Sequence, residues 1–305
     1  TAKKALPFWR QAKHYYIASR DLPSISAPLT LYYSFLNATK ALLIVKKVSH
    51  GDYHGVAGNV EATKRSLYSE EIRFLSRGVV ASLSKHLEEK ETAQTHTLKD
   101  VLANLPFVHR AFRHTFRSHP ETFIPLRNVV YRKHPLEDRV WVSADVSGRF
   151  ADARSMTTLP EQFERDLGFP NTFTIRTKKR ANWAPRGTGK KGQREAFPKL
   201  QALHKRARCQ LTYISASPDL WYIKRHVSGA QTIDRYNLTL IIAAMHRLSE
   251  LSRYDPGGFS RHLDSQSAWL LTEFIRLAPN QFFDELVCEM TGLEFATPGI
   301  RPTST

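Results

Sequence analysis

Leu29-Thr-Leu-Tyr-Tyr-Ser-Phe-Leu-Asn-Ala-Thr-Lys-Ala-Leu-Leu-Ile-Val-Lys-Lys-Val48 is apolar over most of a helical circumference. Leu31, Tyr32, Phe35, Leu36, Ala38, Ala41, Leu42, Ile44 and Val45 leave no broad polar face, and such a helix needs cover on every side, in the middle of a bundle. Ser26 as N-cap and Pro28 in the first turn mark its start, and His50-Gly-Asp-Tyr-His-Gly55 breaks it. Upstream, Phe8, Ala12, Tyr15, Tyr16 and Ala18 share one face of a helix from about Pro7 to Arg20. A second nearly all-apolar helix runs from Tyr236 to Tyr254, stopped by Pro256-Gly-Gly258. Two more are expected at about 265–277 and 280–290, the last closed by Gly292.

Between these ends the pattern is mixed. Thr97-Leu-Lys-Asp100 opens a short helix with a capping box, and Phe107–Phe116 continues helically, with Phe112 and Phe116 as core anchors. Asn128–Lys133 and Arg139–Val146 flank His134-Pro-Leu-Glu-Asp138 as a hairpin, and Thr172–Arg176, Gln210–Ile214 and Trp221–Val227 read as further strands. The expected class is α+β, mainly α: a helical bundle from residues 1–60 and 230–295, an inserted α+β region over 61–229, and a tail, 296–305.

The 305 residues carry 45 Lys+Arg against 28 Asp+Glu, a net charge of +17. Between Arg176 and Arg208 there are 12 basic residues and one acid, Glu195; this local +11 leaves 17 − 11 = +6 for the remaining 272 residues. The Gly- and Pro-rich middle, Ala181–Gly192, reads as an exposed loop. Dense Lys and Arg suit phosphate contacts. The candidate nucleic-acid-binding residues are therefore Arg176, Lys178, Lys179, Arg180, Arg186, Lys190, Lys191, Arg194, Lys205, Arg206 and Arg208, with Trp183 placed to stack on an unpaired base.

Several chemistries are excluded or weakened by spacing. Gly187-Thr-Gly-Lys-Lys-Gly192 matches G-x-G-x-x-G, but no strand precedes it and Lys191 stands where a P-loop needs Ser or Thr. His50, Asp52 and His54 have no zincin spacing, so no metal is expected, and no cofactor. Glu161, Glu164 and Asp166 read as a solvated helix face, and His109, His114 and His119 as basic surface. Two cysteines, Cys209 and Cys288, make no disulfide framework, and no run of 18 apolar residues spans a membrane. The expectation is a cytoplasmic protein without membrane contact.

Phe8-Trp-Arg-Gln-Ala-Lys-His-Tyr-Tyr16, Leu31-Tyr-Tyr-Ser-Phe-Leu-Asn-Ala-Thr-Lys-Ala-Leu42 with His54-Gly55, and Leu248-Ser-Glu-Leu-Ser-Arg-Tyr-Asp-Pro256 resemble the YaaC-like family of bacterial proteins. That resemblance implies an architecture rather than a reaction. The N-terminal helical pair is also similar to HEPN domains, which serve as ribonucleases or as RNA-binding modules. Their ribonuclease motif, Arg followed after four to six residues by His, is matched by Arg127-Asn-Val-Val-Tyr-Arg-Lys-His134. Such a pair cleaves RNA without metal, His as base and Arg as the cation at the phosphorane. The reading that follows is a protein that binds RNA or DNA, as a subunit of a bacterial defence or other multi-component assembly. The alternatives are a HEPN-type ribonuclease acting through Arg127 and His134, and an interaction scaffold whose basic segment meets an acidic partner subunit.

Overall fold

The structure, a computed structural model, describes residues 1–59, 66–90, 94–146, 148–183, 190–214 and 220–292, with the backbone alone for 190–194. In chain order the elements are α1 (Ala2–Ser19), α2 (Ala27–Val45), β1 (Val56–Gly58), β2 (Glu71–Phe74), α3 (Val79–His86), β3 (Thr95–Thr97), α4 (Leu98–Ala103), a 3-10 turn (Pro106–Val108) and α5 (His109–Thr115). There follow β4 (Phe123–Lys133), β5 (Arg139–Val146), α6 (Ala153–Thr157), β6 (Phe163–Arg165), β7 (Thr174–Thr177), β8 (Ala181–Asn182), α7 (Lys190–Ala207), β9 (Leu211–Tyr213) and β10 (Trp221–Lys224). The chain returns through α8 (Asn237–Tyr254), α9 (Pro256–Leu263) and α10 (Ala268–Thr291). This is an α+β chain dominated by helix. Among the described residues no helix is long and apolar enough to cross a membrane.

Two compact units result among the described residues, one from Thr1–His119 with residues 233–292, the other from Pro120–Thr232. In the helical unit α2 packs against α1, α3, α8 and α10, as its all-round apolar surface demands. Phe35 stacks on Phe282 at 4.2 Å, Trp9 and Tyr16 meet Phe283 edge-on, and Ser34 Oγ donates to Ala12 O at 2.7 Å. A small antiparallel sheet in the order β1-β2-β3 lies in the same unit. The unit reaches to His119, beyond the boundary at residue 60 drawn from sequence. Leu67, Ile72, Phe74, Val79, Leu83, Leu102 and Phe112 are buried, and Glu89 and Asn104 bind Arg235 and Ile233 N across the chain return. His119, read as surface, is buried edge-on against Phe112.

Two further differences have physical causes. The two helices expected at 265–277 and 280–290 are the single α10, running through Pro279. Leu271, Phe274, Ile275, Ala278, Phe282 and Leu286 form one continuous buried stripe, and its packing outweighs the hydrogen bond that Pro279 forfeits. Pro256-Gly-Gly258, read as a stop, also starts α9: Asp255 accepts from Gly258 N at 2.8 Å with Pro256 in the first turn. The capping box at Thr97 forms as expected, and Gly292 ends α10 with φ +73°, a conformation other side chains resist.

The second unit is an antiparallel sheet in the order β6-β7-β5-β4-β10-β9, with β8 pairing β5. The hairpin of β4 and β5 is the expected one, with a bulge between Arg127 and Val130 where Asn128 takes φ +49°. Val140, Val142, Ala144 and Val146 alternate inward on β5 and build one core with Ile124, Ile175, Ile223 and, from α7, Leu203 and Ala207. Glu164 and Asp166 do not lie on a helix; they sit on and after β6 and pair with Arg176.

Candidate functional site

The basic segment is not a loop throughout. Residues 184–189, including Arg186 and much of the glycine motif, lie outside the described residues. Lys190, Lys191 and Arg194 fall in the first turns of α7. A helix forms because Ala196, Leu200, Leu203 and Ala207 recur at helical spacing and seat it on the sheet core. The opposite side is left to polar and basic residues, with Lys199 and Arg206 exposed one above the other, and Lys205 and Arg208 half-buried. Outside 176–208 the sheet unit holds nine basic and nine acidic residues, so this strand–turn–helix segment supplies its entire excess charge.

Lys178, Lys179 and Arg180 are exposed in the turn between β7 and β8. The turn is fixed by Lys178 N to Gln162 O at 2.8 Å and Thr177 Oγ1 to Lys179 O at 3.0 Å. Arg180 lies 5.1 Å from the Trp141 ring centroid. Arg176 differs from its neighbours: its Nε binds Glu164 Oε1 at 2.8 Å and its NH1 lies 3.4 Å from Asp166 Oδ1. Its charge is matched within the sheet, which removes the reason to count it among phosphate contacts. Trp183 is half-buried against the core rather than displayed.

Arg127 and His134 are not brought together. They sit at either end of one extended run, β4 and its turn, about 20 Å apart at the rise of a β-strand. His134 Nδ1 accepts from Leu136 N at 3.2 Å and Glu137 N at 2.9 Å, closing the β4–β5 turn. Arg127 is exposed opposite Asp145, beside the bulge.

A cluster of titratable groups in the helical unit is the feature that sequence reasoning missed. Tyr32 of α2 is fully buried, and its hydroxyl bonds His54 Nδ1 from the strap between α2 and β1. The His54 ring stacks on Tyr32 at 5.3 Å, and both face His246 of α8, at 5.5 Å and 4.8 Å. One residue on, Arg247 donates to Glu70 Oε2 from Nε and NH2 at 3.1 and 2.6 Å, and from NH1 to Glu250 Oε2 at 3.0 Å and Asn59 O at 3.1 Å. Glu70 Oε1 meets His262 Nε2 of α9 at 3.0 Å. Gly58 closes the group: its N–H points to Glu250 Oε1 at 3.3 Å, and a Cβ there would fall 2.1 Å from the Arg247 and Glu250 side chains.

Electrostatics sort these groups. Burial holds the Tyr32 hydroxyl far above an ordinary phenol. It also lowers His54, aided by the charges of Arg253 and Lys40. Burial, with His54, Arg253 and Arg247, pulls His246 down to about 3. For Glu70, burial pushes upward, but the hydrogen bonds and charges of His262 and Arg247 outweigh it and the carboxyl lies low. The result is a half-exposed neutral imidazole, His54, backed by a neutral phenol and an anchored ion pair. Its lowered pKa keeps this ring uncharged at neutral pH. The signal was present in sequence: His246 and Arg247 interrupt a helix whose other faces all require burial, so they are drawn into the core with it. Among the described residues no three His, Cys, Asp or Glu converge as metal ligands, so His50, Asp52 and His54 do not form a ligand set.

A family model described as YaaC-like Protein matches residues 1–290. No curated protein and no solved structure matches the chain.

Proposed function

We propose that this chain, which belongs to the YaaC-like family, binds nucleic acid through the turn 178–180 and the solvent side of α7. The family match carries no reaction, so the reading rests on charge and its placement. One observation carries it: all the excess positive charge of the sheet unit lies in one segment, and α7 buries its apolar stripe in the sheet while Lys199 and Arg206 stay exposed. A polyanion meeting such a face releases condensed counterions, which makes the affinity salt-dependent and indifferent to base sequence. Phosphates are the polyanion whose spacing suits a row of Lys and Arg along a helix, and the bacterial assembly expected from the family and HEPN resemblances would use the chain as its nucleic-acid-binding subunit.

The experiment replaces Lys178, Lys179, Arg180, Lys190 and Lys191 by Ser and measures binding of labelled RNA and DNA against salt. Affinity is expected to fall for all sequences alike, with the slope of log K on log salt reduced by about 0.7–0.9 for each phosphate contact removed. Substitutions at exposed positions such as 178–180 change stability by about 0.5 kcal/mol or less, and circular dichroism of the variant checks that folding is retained. Unchanged affinity and slope would sink the reading and favour an acidic protein partner for the same face.

A further inference from the structure

With Trp183 half-buried against the core, the exposed aromatic rings near the basic face among the described residues are Phe197, 46% exposed on α7, and Tyr131, 40% exposed on β4. Phe197, His204 and Arg208 stand at i, i+7 and i+11 and so share one flank of the helix, with about 10 Å between the first two. Tyr131 joins this flank from the sheet. Its hydroxyl and His204 Nδ1 are 2.7 Å apart, the two rings have centroids 6.3 Å apart, and the charge of Arg208 acts on the same phenol. The opposite flank of α7 carries Lys199 and Arg206. A Phe and a Tyr exposed along one flank of α7, with Arg208 beside the Tyr131 phenol and Lys199 and Arg206 on the other flank of the same helix, differ from scattered surface hydrophobics because they lie within one basic segment.

We propose that this row selects single-stranded nucleic acid, Phe197 and Tyr131 stacking on unpaired bases while the Lys and Arg residues of α7 and the β7–β8 turn follow the backbone. The proposal rests on the nucleic-acid reading above and adds its substrate class. Bases in a duplex are already stacked on one another and offer no free face, so a duplex meets the charges alone. An unpaired base meets both, and stacking tolerates any sequence because every base has a π-face. The hydrogen bond to His204 fixes the Tyr131 ring in advance, so little side-chain freedom is lost on binding.

The test measures fluorescence anisotropy of the full chain with an oligothymidylate, an oligouridylate and a duplex of equal length. Phe197→Ala is expected to weaken both single strands by about 5- to 100-fold, the range of one stacked base, and to leave the duplex within about twofold and all salt slopes unchanged. Phe197→Trp should retain single-strand binding. Tyr131→Leu should act as Phe197→Ala does, with far-ultraviolet circular dichroism confirming the fold of each variant. Equal losses on single strands and duplex, or no loss on any, overturn the inference. The five-fold Ser variant separates the two levels: if it weakens all three ligands while Phe197→Ala weakens none, stacking falls and the charge reading stands. If neither changes anything, both fall. A difference between the thymidylate and uridylate arms assigns DNA or RNA as the preferred strand.

Discussion

Protonation of His246 is expected to make the helical unit acid-sensitive well above the range where carboxylates titrate. The ring is 5% exposed, its Nδ1 has no hydrogen-bond partner, and Glu250 Oε2 lies 3.8 Å away, too far to bond it. That carboxylate would favour a charged ring, but burial and the charges of His54, Arg253 and Arg247 win and hold the imidazole down to about 3. An unfolded histidine titrates near 6.5. Below about pH 6.5 the unfolded chain therefore binds a proton that the folded chain refuses until about pH 3. Stability from this site is complete above that window and is lost as pH falls through it. One pH unit inside the window corresponds to about 1.4 kcal/mol, so the loss at pH 5 relative to pH 7.5 is about 2 kcal/mol. The assay is urea unfolding followed by helical circular dichroism at those two pH values, for the wild type and for His246→Gln. The variant should lose about 2 kcal/mol less than the wild type between them, because His54 and the other titrating groups are common to both. Equal losses in the two proteins would refute the account of His246 as a neutral buried ring.

The helical ends were legible because their information is local and redundant. α2 and α8 announce themselves by apolar residues on every face, and a helix of that kind has one kind of home. The same logic failed at Leu277-Ala-Pro-Asn280 and Pro256-Gly-Gly258, where the breaker rule was right about propensity and wrong about outcome. At Pro279 a stripe from Leu271 to Leu286 buries enough surface to carry the helix across the missing N–H. At Pro256 the same residue that ends one helix begins the next, since Pro fits a first turn and Asp255 supplies the cap. In the basic segment, charge density and glycines drew the eye from Ala196, Leu200, Leu203 and Ala207, a short apolar stripe that forms a helix only because a sheet lies beneath it.

The sites were legible in composition and not in geometry. That 176–208 holds most of the excess charge needs only counting. That Arg176 is matched by Glu164 and Asp166 depends on the register of β6 against β7, where Glu164 faces Arg176, and no spacing rule encodes a strand pairing. Arg127 and His134 fit a motif whose chemistry needs helical spacing, and β-branched Val129 and Val130 place them on a strand instead. The titratable cluster draws Tyr32, His54, Glu70, the α8 group His246, Arg247 and Glu250, and His262 from five places in the chain. Tyr32, His246 and Arg247 were visible as polar residues in helices too apolar to leave them in water, whereas His54, Glu70 and His262 join them only through the fold.

Four further outcomes are expected. Phe282→Ala removes the ring stacked on Phe35 and should cost about 3–5 kcal/mol in urea unfolding; a loss under 1 kcal/mol would mean that the α2–α10 contact is loosely packed. Thr97→Ala takes away the side-chain acceptor for Asp100 N and should cost about 1 kcal/mol. His134→Ala removes the acceptor for Leu136 and Glu137 N–H and should cost about 1 kcal/mol, leaving any RNA cleavage by the chain unchanged; loss of a cleavage activity would restore the ribonuclease reading. The Glu70–Arg247 pair gives the sharpest contrast, because both side chains are buried and hydrogen-bonded, at 4% and 6% exposure. Arg247→Met strands the Glu70 and Glu250 carboxylates without their cation and should cost about 3–5 kcal/mol. Glu70→Gln with Arg247→Met removes one stranded charge together with its partner, so the double variant should be more stable than Arg247→Met alone. The pH signatures differ as well. Glu70 is held low in the fold, so its stabilisation is present above the unfolded value near 4.3 and is lost as pH falls through the folded one. Glu70→Gln should therefore remove the Glu70 share of the loss below about pH 4.3 and leave intact the loss between about pH 6.5 and 4.3, which belongs to His246. A double variant less stable than Arg247→Met, or a Glu70→Gln effect confined to the range above about pH 4.3, would contradict the assignment of Glu70 as the ionised partner of Arg247.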